Sequence, residues 1–126
     1  MEELRDIDAP AKVRDWLSVL PAWLQVDSST FPPDVLLDRL DRGERDAILL
    51  AAAIRADRLI MDDLDGRREA EIRNLAVIGT LGILAEGGRR KLLGLSQALS
   101  ALQATNFHAS PALIERLLRR EADRQK

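Results

Sequence analysis

The segment LDRGERDAILLAAAIRADRLIMDDLDGRREA, residues 40–70, decides the fold of this chain. The stretch ERDAILLAAAIRA, which follows Gly43, is apolar on nearly every side, and this pattern is typical of a helix that is buried from several directions. Residues 58–61, RLIM, then predict a short buried strand that runs into the acidic pair Asp62 and Asp63. The polar residues that follow predict another helix, so the segment alternates helix and strand.

The residues after this segment continue the alternation. A polar helix is predicted from Gly66, and a second short strand is predicted at residues 75–78. Helix, strand, helix and strand joined by short loops are typical of an α/β unit with parallel strands. After Gly79 the chain returns to helix, and the paired glycines 87–88 predict its C-terminal end.

Leucine spacing predicts two further helices near the C-terminus. The first has apolar residues three and four positions apart, namely Leu92, Leu95, Leu99 and Leu102. The second begins at Ser110-Pro111 and carries an apolar face formed by Leu113, Ile114, Leu117 and Leu118. Both stripes fit either a buried core or a groove that binds a partner helix.

The N-terminal third has weaker signals. A helix is predicted over roughly residues 10–20, with Pro10 in its first turn, where the missing N–H costs nothing. Residues 23–26, WLQV, predict a strand, and Pro32-Pro33 predict a short helix that extends to about Leu40.

Composition limits the chemistry that this chain can perform. Its 126 residues include no cysteine and one histidine, His108, so disulfide scaffolds, thiolate sites and histidine-rich zinc centres are excluded. A net charge of −2 gives no general attraction to nucleic acid, although Arg89, Arg90 and Lys91 form a small basic patch. MEELRDIDAP has no signal-sequence pattern, and the longest apolar run, residues 47–54, is too short for a membrane span. We therefore expect a cytoplasmic protein with no membrane partner.

Four carboxylates are predicted at one edge of the α/β unit. A helix over 44–56 rises about 18 Å, and a strand over 58–62 returns about 16 Å, so Glu44 and Asp62 are expected to meet although 18 positions separate them. Asp63 and Asp65 follow in the next loop. Oxygen ligands without histidine or thiolate suit Mg²⁺ or Mn²⁺, which metal-dependent nucleases use to activate water. The alternative is structural: Glu44 favours a helix N-terminus and the aspartates form a polar turn.

The segment at residues 40–70 resembles the core of PIN-domain proteins. It is most similar to a prokaryotic branch with a Leu-Asp-x-Gly-Glu start, an Ala-rich helix, an acidic pair and Gly-Arg. VIGTLGILAEGGRRKLL, residues 77–93, resembles the Gly-Thr-x-Gly segment of that branch, and residues 102–118 resemble its C-terminal end. The similarity extends from about Glu3 to the C-terminus.

The resemblance implies a PIN-like three-layer α/β/α fold with a short parallel sheet, rich in helix. It also implies Mg²⁺- or Mn²⁺-dependent cleavage of single-stranded or structured RNA. Many such proteins are toxins of toxin–antitoxin pairs, which implies a cognate antitoxin protein as a partner.

By position, the resemblance assigns metal ligands to this chain. Glu44 matches the acid that opens the Ala-rich helix, Asp62 the acid that ends the next strand, and Asp63 the second member of that pair. Glu3 is similar to an acid that begins an earlier helix of the family. Glu44, Asp62 and Asp63 are the predicted catalytic residues. Positions that set the local shape are matched by Gly66, Arg67, Gly79, Thr80 and Gly82.

The chain departs from the family pattern at its beginning. PIN domains open with a strand that carries a metal-binding Asp, and no such strand precedes Glu3. Residues 1–126 are therefore expected to form a single PIN-like domain that is incomplete at its N-terminus. A misplaced start codon, a truncated gene remnant and a sheet completed by a partner chain would each explain this. Exposed apolar surface and unpaired strand edges would then favour self-association into a homo-oligomer.

Three functions remain open from the sequence. The first is a PIN-type ribonuclease, in which Arg67 or Arg68 contacts phosphate unless it pairs with Glu69 or Glu71. The second is a non-catalytic helical interaction module or a degenerate remnant, in which the leucine stripes bind a partner. The third, a small DNA-binding regulator, is disfavoured by the acidic charge and by the lack of an Arg/Lys-rich recognition helix.

Overall fold

The structure is a computed structural model that describes residues 9–126. Its chain divides into two compact units, the first ending at Thr30 and the second running from Phe31 to Lys126. Over residues 9–126, none of the helices combines the length and the apolar character that crossing a lipid bilayer requires. Glu3 lies outside the described residues.

The first unit contains one described helix, α1 (Ala11–Ser18). Pro10 precedes it as the N-cap, and the Ser18 hydroxyl closes the last turn by donating to the carbonyl of Asp15 at 2.6 Å. Leu17 is its buried residue. The predicted helix over residues 10–20 is thus confirmed, with shorter ends.

The strand predicted at residues 23–26 is wrong. The N–H of Leu24 donates to the carbonyl of Pro21 at 3.0 Å, which makes a turn where extended backbone was expected. The indole of Trp23 lies tilted beside that of Trp16, with ring centroids 6.2 Å apart. Within the described part of the chain no strand pairs with this segment, so the local apolar alternation has no ladder to join.

The second unit alternates helices and strands and ends in three helices. In chain order, its elements are a 3₁₀ turn (Val35–Leu37), α2 (Arg42–Ala53), β1 (Leu59–Ile60), α3 (Leu64–Ile72), β2 (Val77–Ile78), α4 (Thr80–Arg89), α5 (Leu95–Gln103) and α6 (Pro111–Gln125). The strands pair in parallel, with Leu59 opposite Val77 and Ile60 opposite Ile78. The predicted helix-rich α/β fold with a short parallel sheet is confirmed.

The helix predicted from Pro32-Pro33 to Leu40 is only a single 3₁₀ turn. Leu37 ends this turn and Leu40 follows it, and both are buried. The N–H of Leu40 donates to the carbonyl of Leu37 at 3.0 Å, which folds the chain between them. The Asp34 carboxylate stabilises this turn and links it to Arg73, which follows α3. One of its oxygens accepts from the N–H of Leu36 at 3.0 Å, and the other accepts from the guanidinium of Arg73 at 2.7 Å.

Two groups of buried side chains form the core of the second unit. The first lies around α2 and the sheet and consists of Leu37, Leu40, Ile48, Ala51, Leu59, Met61 and Ala70. The second joins the last three helices, where Leu95 and Leu99 of α5 meet Ile114 of α6 beside Leu81 and Leu84 of α4. The leucine stripes therefore pack mainly against each other, whereas Leu92 lies outside α5 and is exposed.

A residue with a left-handed backbone conformation follows each of the helices α2, α3 and α4. Arg55, Asn74 and Lys91 follow α2, α3 and α4 with φ angles of 53°, 63° and 59°. The next N–H then reaches back across the last turn, as in the bond from Ala56 to the carbonyl of Ala51 at 2.9 Å.

The paired glycines 87–88 lie in the last turn of α4, which ends at Arg89, so the predicted end of the helix is confirmed to within one residue, although Lys91 and not a glycine takes the left-handed conformation after it. A Cβ on Gly87 would come 2.9 Å from Cδ2 of Leu93, and one on Gly88 would come 3.2 Å from Cβ of Leu95. Because these glycines lack a Cβ, the segment that leads into α5 can pack closely against α4.

Candidate metal and phosphate site

The carboxylate of Asp62 is held by a single residue from the neighbouring strand end. Asp62 follows β1, and Thr80 begins α4 just after β2. The N–H of Thr80 donates to Oδ1 of Asp62 at 2.8 Å, and the Thr80 hydroxyl donates to Oδ2 at 2.5 Å. Because β1 and β2 are parallel, their carboxyl ends lie at the same edge, which brings these two residues together.

Gly79 lies directly against this carboxylate. It is buried, and a Cβ at this position would come 2.7 Å from Oδ1 of Asp62 and 3.2 Å from Nη1 of Arg67. The Arg67 guanidinium and the Asp62 carboxylate therefore flank the same point of the backbone. A side chain larger than hydrogen at Gly79 would displace one of them.

Glu44 lies in the first turn of α2, next to the residue that caps this helix. Oδ1 of Asp41 accepts from the N–H of Glu44 at 2.9 Å. A backbone hydrogen bond from Asp41 in turn favours the ionised form of Glu44. The sequence Asp-x-x-Glu at residues 41–44 has the spacing of a capping box, and the bond from the Glu44 N–H to Asp41 forms one half of it, which agrees with the structural alternative for Glu44.

Asp63 caps the next helix in a similar way. Its Oδ2 accepts from the N–H of Gly66 at 2.8 Å in the first turn of α3, where Asp65 also lies. Asp63 and Asp65 are close enough to Glu44 for their charges to act on it. The structure thus places Glu44 within electrostatic range of Asp63, whereas Asp62 is bound to Thr80.

The electrostatics of Glu44 reflect this crowding of acids. Burial is the largest cause of a raised pKa for the Glu44 carboxyl, followed by the negative charges of Asp63 and Asp41, with a smaller contribution from Asp65. The backbone hydrogen bond from Asp41 acts in the opposite direction and does not cancel the rise. Ionised Glu44 therefore destabilises the folded chain at neutral pH, and a cation beside it would relieve that cost.

We expect Glu44→Gln to stabilise the metal-free protein at pH 7, by less than about 1 kcal/mol because the group is only partly buried. The folded-state pKa is raised above the ordinary value of 4.5, so the destabilisation develops as the pH rises through the folded pKa. Below about pH 4 both states are protonated, and the two proteins should be equally stable.

Urea unfolding with EDTA from pH 3.5 to 8 measures this difference, and Glu71→Gln on exposed α3 surface is the control. A Glu44→Gln protein less stable than wild type at pH 7 would contradict the prediction.

The predicted ligand set fits a divalent cation in its chemistry but is not assembled among the described residues. Over residues 9–126, no group of three or more Asp, Glu, His or Cys side chains is arranged to hold a metal ion. Glu44 and Asp63 supply the hard oxygen atoms and the uncompensated charge that Mg²⁺ or Mn²⁺ would neutralise. The assignment of ligands stays a prediction, and Glu3 lies outside the described residues.

Two contacts at this edge do not follow from the sequence resemblance: the bonds from Thr80 to Asp62 and the bond from Glu44 to Asp41. From the sequence, Thr80 matches a position that sets the local shape, and Asp41 belongs to the Leu-Asp-x-Gly-Glu start. The capping-box spacing of Asp41 and Glu44 is a signal that identifies the first contact in advance. The contact from Thr80 to Asp62 depends on the strand register, which the sequence does not specify.

The arginines near the site differ in their pairing. Among residues 9–126 neither Arg67 nor Arg68 forms an ion pair, and Glu69 is bound by Arg39. Arg89 and Arg90 instead bind the carboxylate of Glu86, which lowers the pKa of Glu86 to about 2. The basic patch at residues 89–91 is therefore partly neutralised within its own helix, which leaves Arg67 as the described cation beside Asp62.

Comparison with known proteins adds one finding. A family model described as a PIN domain matches residues 1–123. The chain belongs to the PIN-domain family. Neither the curated proteins nor the solved structures contain a match to it. PIN domains have a nuclease-type fold and generally depend on divalent metal, so the acids of this PIN domain lie in a family context in which such acids bind cations.

Proposed function

We propose that this PIN domain is a divalent-metal-dependent ribonuclease whose reaction depends on Glu44, Asp62 and Asp63. The observation that carries the proposal is the grouping of acids where two helices begin: burial first, and then the negative charges of Asp63, Asp41 and Asp65, raise the pKa of Glu44. Acids that repel each other at a strand edge are costly unless a cation joins them. The family supports a nuclease-type fold for this chain.

Glu44 and Asp63 would hold Mg²⁺ or Mn²⁺, together with Asp62 and, by resemblance, Glu3. A bound divalent cation would stabilise the developing charge on a phosphate and make water a better nucleophile. Among residues 9–126, Oδ2 of Asp63 accepts the bond from Gly66 and Oδ1 accepts none. That oxygen would orient the attacking water, and the Arg67 guanidinium would bind the phosphate of the RNA strand.

The biological setting forms part of the proposal. We assign single-stranded or structured RNA as substrate, a cognate antitoxin protein as inhibitor and the cytoplasm as the compartment. Exposed apolar side chains support binding to a second protein or to a second copy of the chain. In the second unit they include Ile54, Ile60 and Leu64, which are 61%, 63% and 75% exposed.

A non-catalytic role is the second candidate, and one observation favours it. Asp41, Glu44 and Asp63 all take part in helix capping, a structural role that needs no metal ion. An interaction module or a degenerate remnant of a nuclease would keep these acids for stability alone. Such a protein would gain no stability from Mg²⁺ or Mn²⁺.

The test is cleavage of a fluorogenic single-stranded RNA by the full chain with Mn²⁺. We expect wild-type cleavage that EDTA removes, and we expect Glu44→Gln/Asp62→Asn to reduce it to the EDTA level. The matched control, Asp57→Asn/Glu71→Gln, neutralises two exposed acids that make no ion pair in the described chain, and it should cleave like wild type.

Thermal unfolding provides an independent readout. Mn²⁺ at 100 times its Kd should stabilise the wild type by about 2.7 kcal/mol and leave the Glu44→Gln/Asp62→Asn protein unchanged. If the wild type neither cleaves nor gains stability, the non-catalytic role is favoured. If the double variant cleaves like the control, Glu44 and Asp62 do not belong to the site.

A further inference from the structure

Thr80 contacts the carboxylate of Asp62 through two separate donors. Its backbone N–H donates to Oδ1 of Asp62, and its hydroxyl donates to Oδ2 of the same carboxylate. Asp62 itself is exposed, and an exposed aspartate ordinarily samples several rotamers. Two simultaneous donors from a fixed backbone position allow only one orientation of the carboxylate plane.

The surrounding backbone restricts the same carboxylate further. Gly79 is buried against Oδ1 of Asp62, at a distance that a Cβ would not allow. Thr80 lies directly after Gly79 and is fixed by its place in the first turn of α4. Oδ1 and Oδ2 each accept one bond from Thr80, and each retains a second lone pair for another partner.

We propose that Thr80 is a positioning residue that orients Asp62 for cation binding at the acidic edge, meaning the carboxyl end of β1 and the starts of α2 and α3, where Asp62, Asp63, Asp65 and Glu44 lie. This inference rests on the proposed function, because it assumes that Asp62 is a metal ligand. Carboxylates that ligate metals are themselves hydrogen-bonded by neighbouring groups, and loss of such a partner typically weakens metal binding 10- to 100-fold. Thr80 is the described residue that makes these contacts with Asp62.

A structural role for Thr80 predicts a different result. In that case its bonds to Asp62 only tie the end of β1 to the start of α4, and Asp62 serves as a cap for a helix that has no side-chain cap of its own. Removing the hydroxyl would then lower the melting temperature but would leave the metal affinity of the folded protein unchanged. Metal affinity and stability therefore separate the two roles.

The test measures Mn²⁺ binding to the full chain by titration calorimetry, with melting temperature measured in parallel. Thr80→Val keeps the shape and the N–H but removes the hydroxyl, and we expect the Kd for Mn²⁺ to rise about tenfold. Thr80→Ser keeps both donors and should stay within about twofold of wild type. The matched control is Thr105→Val, which loses a hydroxyl bond to the carbonyl of Leu102 away from the predicted ligands and should bind like wild type.

The outcomes separate the two proposals. Equal Mn²⁺ affinity of Thr80→Val and Thr105→Val would overturn the positioning role while leaving the metal-dependent function intact. A wild type that binds no Mn²⁺ would overturn both. If Thr80→Val does not fold, Thr80→Ala compared with Thr105→Ala gives the same test, since alanine keeps the N–H donor and favours helix.

Discussion

Replacing Ile48 with alanine is expected to lower the free energy of unfolding by about 2 to 5 kcal/mol. Ile48 is completely buried in α2, in the core group that includes Leu37 and Leu59. Truncation removes three carbons from close packing and leaves a cavity that a short two-stranded sheet and its helices cannot fully close. Since native domains are stable by only about 5 to 15 kcal/mol, this change alone would unfold a large share of the molecules under mild denaturant.

Urea unfolding followed by circular dichroism measures the effect, and the same helix provides its control. Ile54→Ala makes the same truncation at the end of α2, where the side chain is 61% exposed, and should change stability by no more than about 0.5 kcal/mol. Equal losses in the two variants would show that the interior of α2 is not packed as the structure describes.

Replacing Gly79 with alanine is expected to weaken Mn²⁺ binding at least tenfold and to destabilise the chain by about 1 to 3 kcal/mol. The backbone at Gly79, with φ −96° and ψ 177°, is open to any residue, so the effect comes from the added methyl group alone. That methyl would come within 2.7 Å of Oδ1 of Asp62, a side chain that Thr80 holds at both oxygens. Either those bonds break or the start of α4 moves.

Gly43→Ala is the control, because its Cβ would make only an ordinary contact of 3.6 Å with Asp41. It lies inside α2, where alanine is favoured over glycine by about 1 kcal/mol, so this variant should melt at a higher temperature than wild type. Calorimetric titration and thermal unfolding of both variants give the comparison. A Gly79→Ala protein that binds Mn²⁺ like wild type would mean that the carboxylate of Asp62 is not needed in its present position.

The sequence predicted most strongly those elements whose signals are local and strong. The apolar run at residues 47–54 predicts a helix, and α2 forms there, but it is not buried from several directions as predicted: only Ile48 and Ala51 are buried, and residues 52–54 are exposed. Ser110-Pro111 caps and begins α6 as predicted, with the Ser110 hydroxyl accepting from the N–H of Leu113 at 3.1 Å. The strand predicted at residues 23–26 failed because a strand needs a neighbour, and pairing is not encoded in four residues. The glycines at 87–88 do lie where α4 ends, but they allow close approach of the following chain and do not take the left-handed conformation, since both tasks favour glycine.

The acidic edge was predictable only in part. Because the predicted helix over 44–56 and strand over 58–62 run in opposite directions and have similar lengths, Glu44 is expected near the acids that follow the strand. The contribution of the Asp63 charge to the raised pKa of Glu44, which comes second to burial, agrees with this. The partner of Asp62 was not predictable, because it depends on β2 pairing with β1 in a particular register. Contacts fixed by one element's periodicity can be inferred from sequence, whereas contacts between two strand ends require the fold.

Three helices begin at residues that bear on this edge: α2 at Arg42, α3 at Leu64 and α4 at Thr80. Each helix N-terminus carries the equivalent of about half a positive charge from its aligned peptide dipoles. Acids lie at each of these termini: Asp41 and Glu44 at α2, Asp63 at α3 and Asp62 at α4. The backbone therefore supplies a fixed countercharge that partly balances the acids in advance, so the chain can fold before any cation arrives and a cation need neutralise only the remainder.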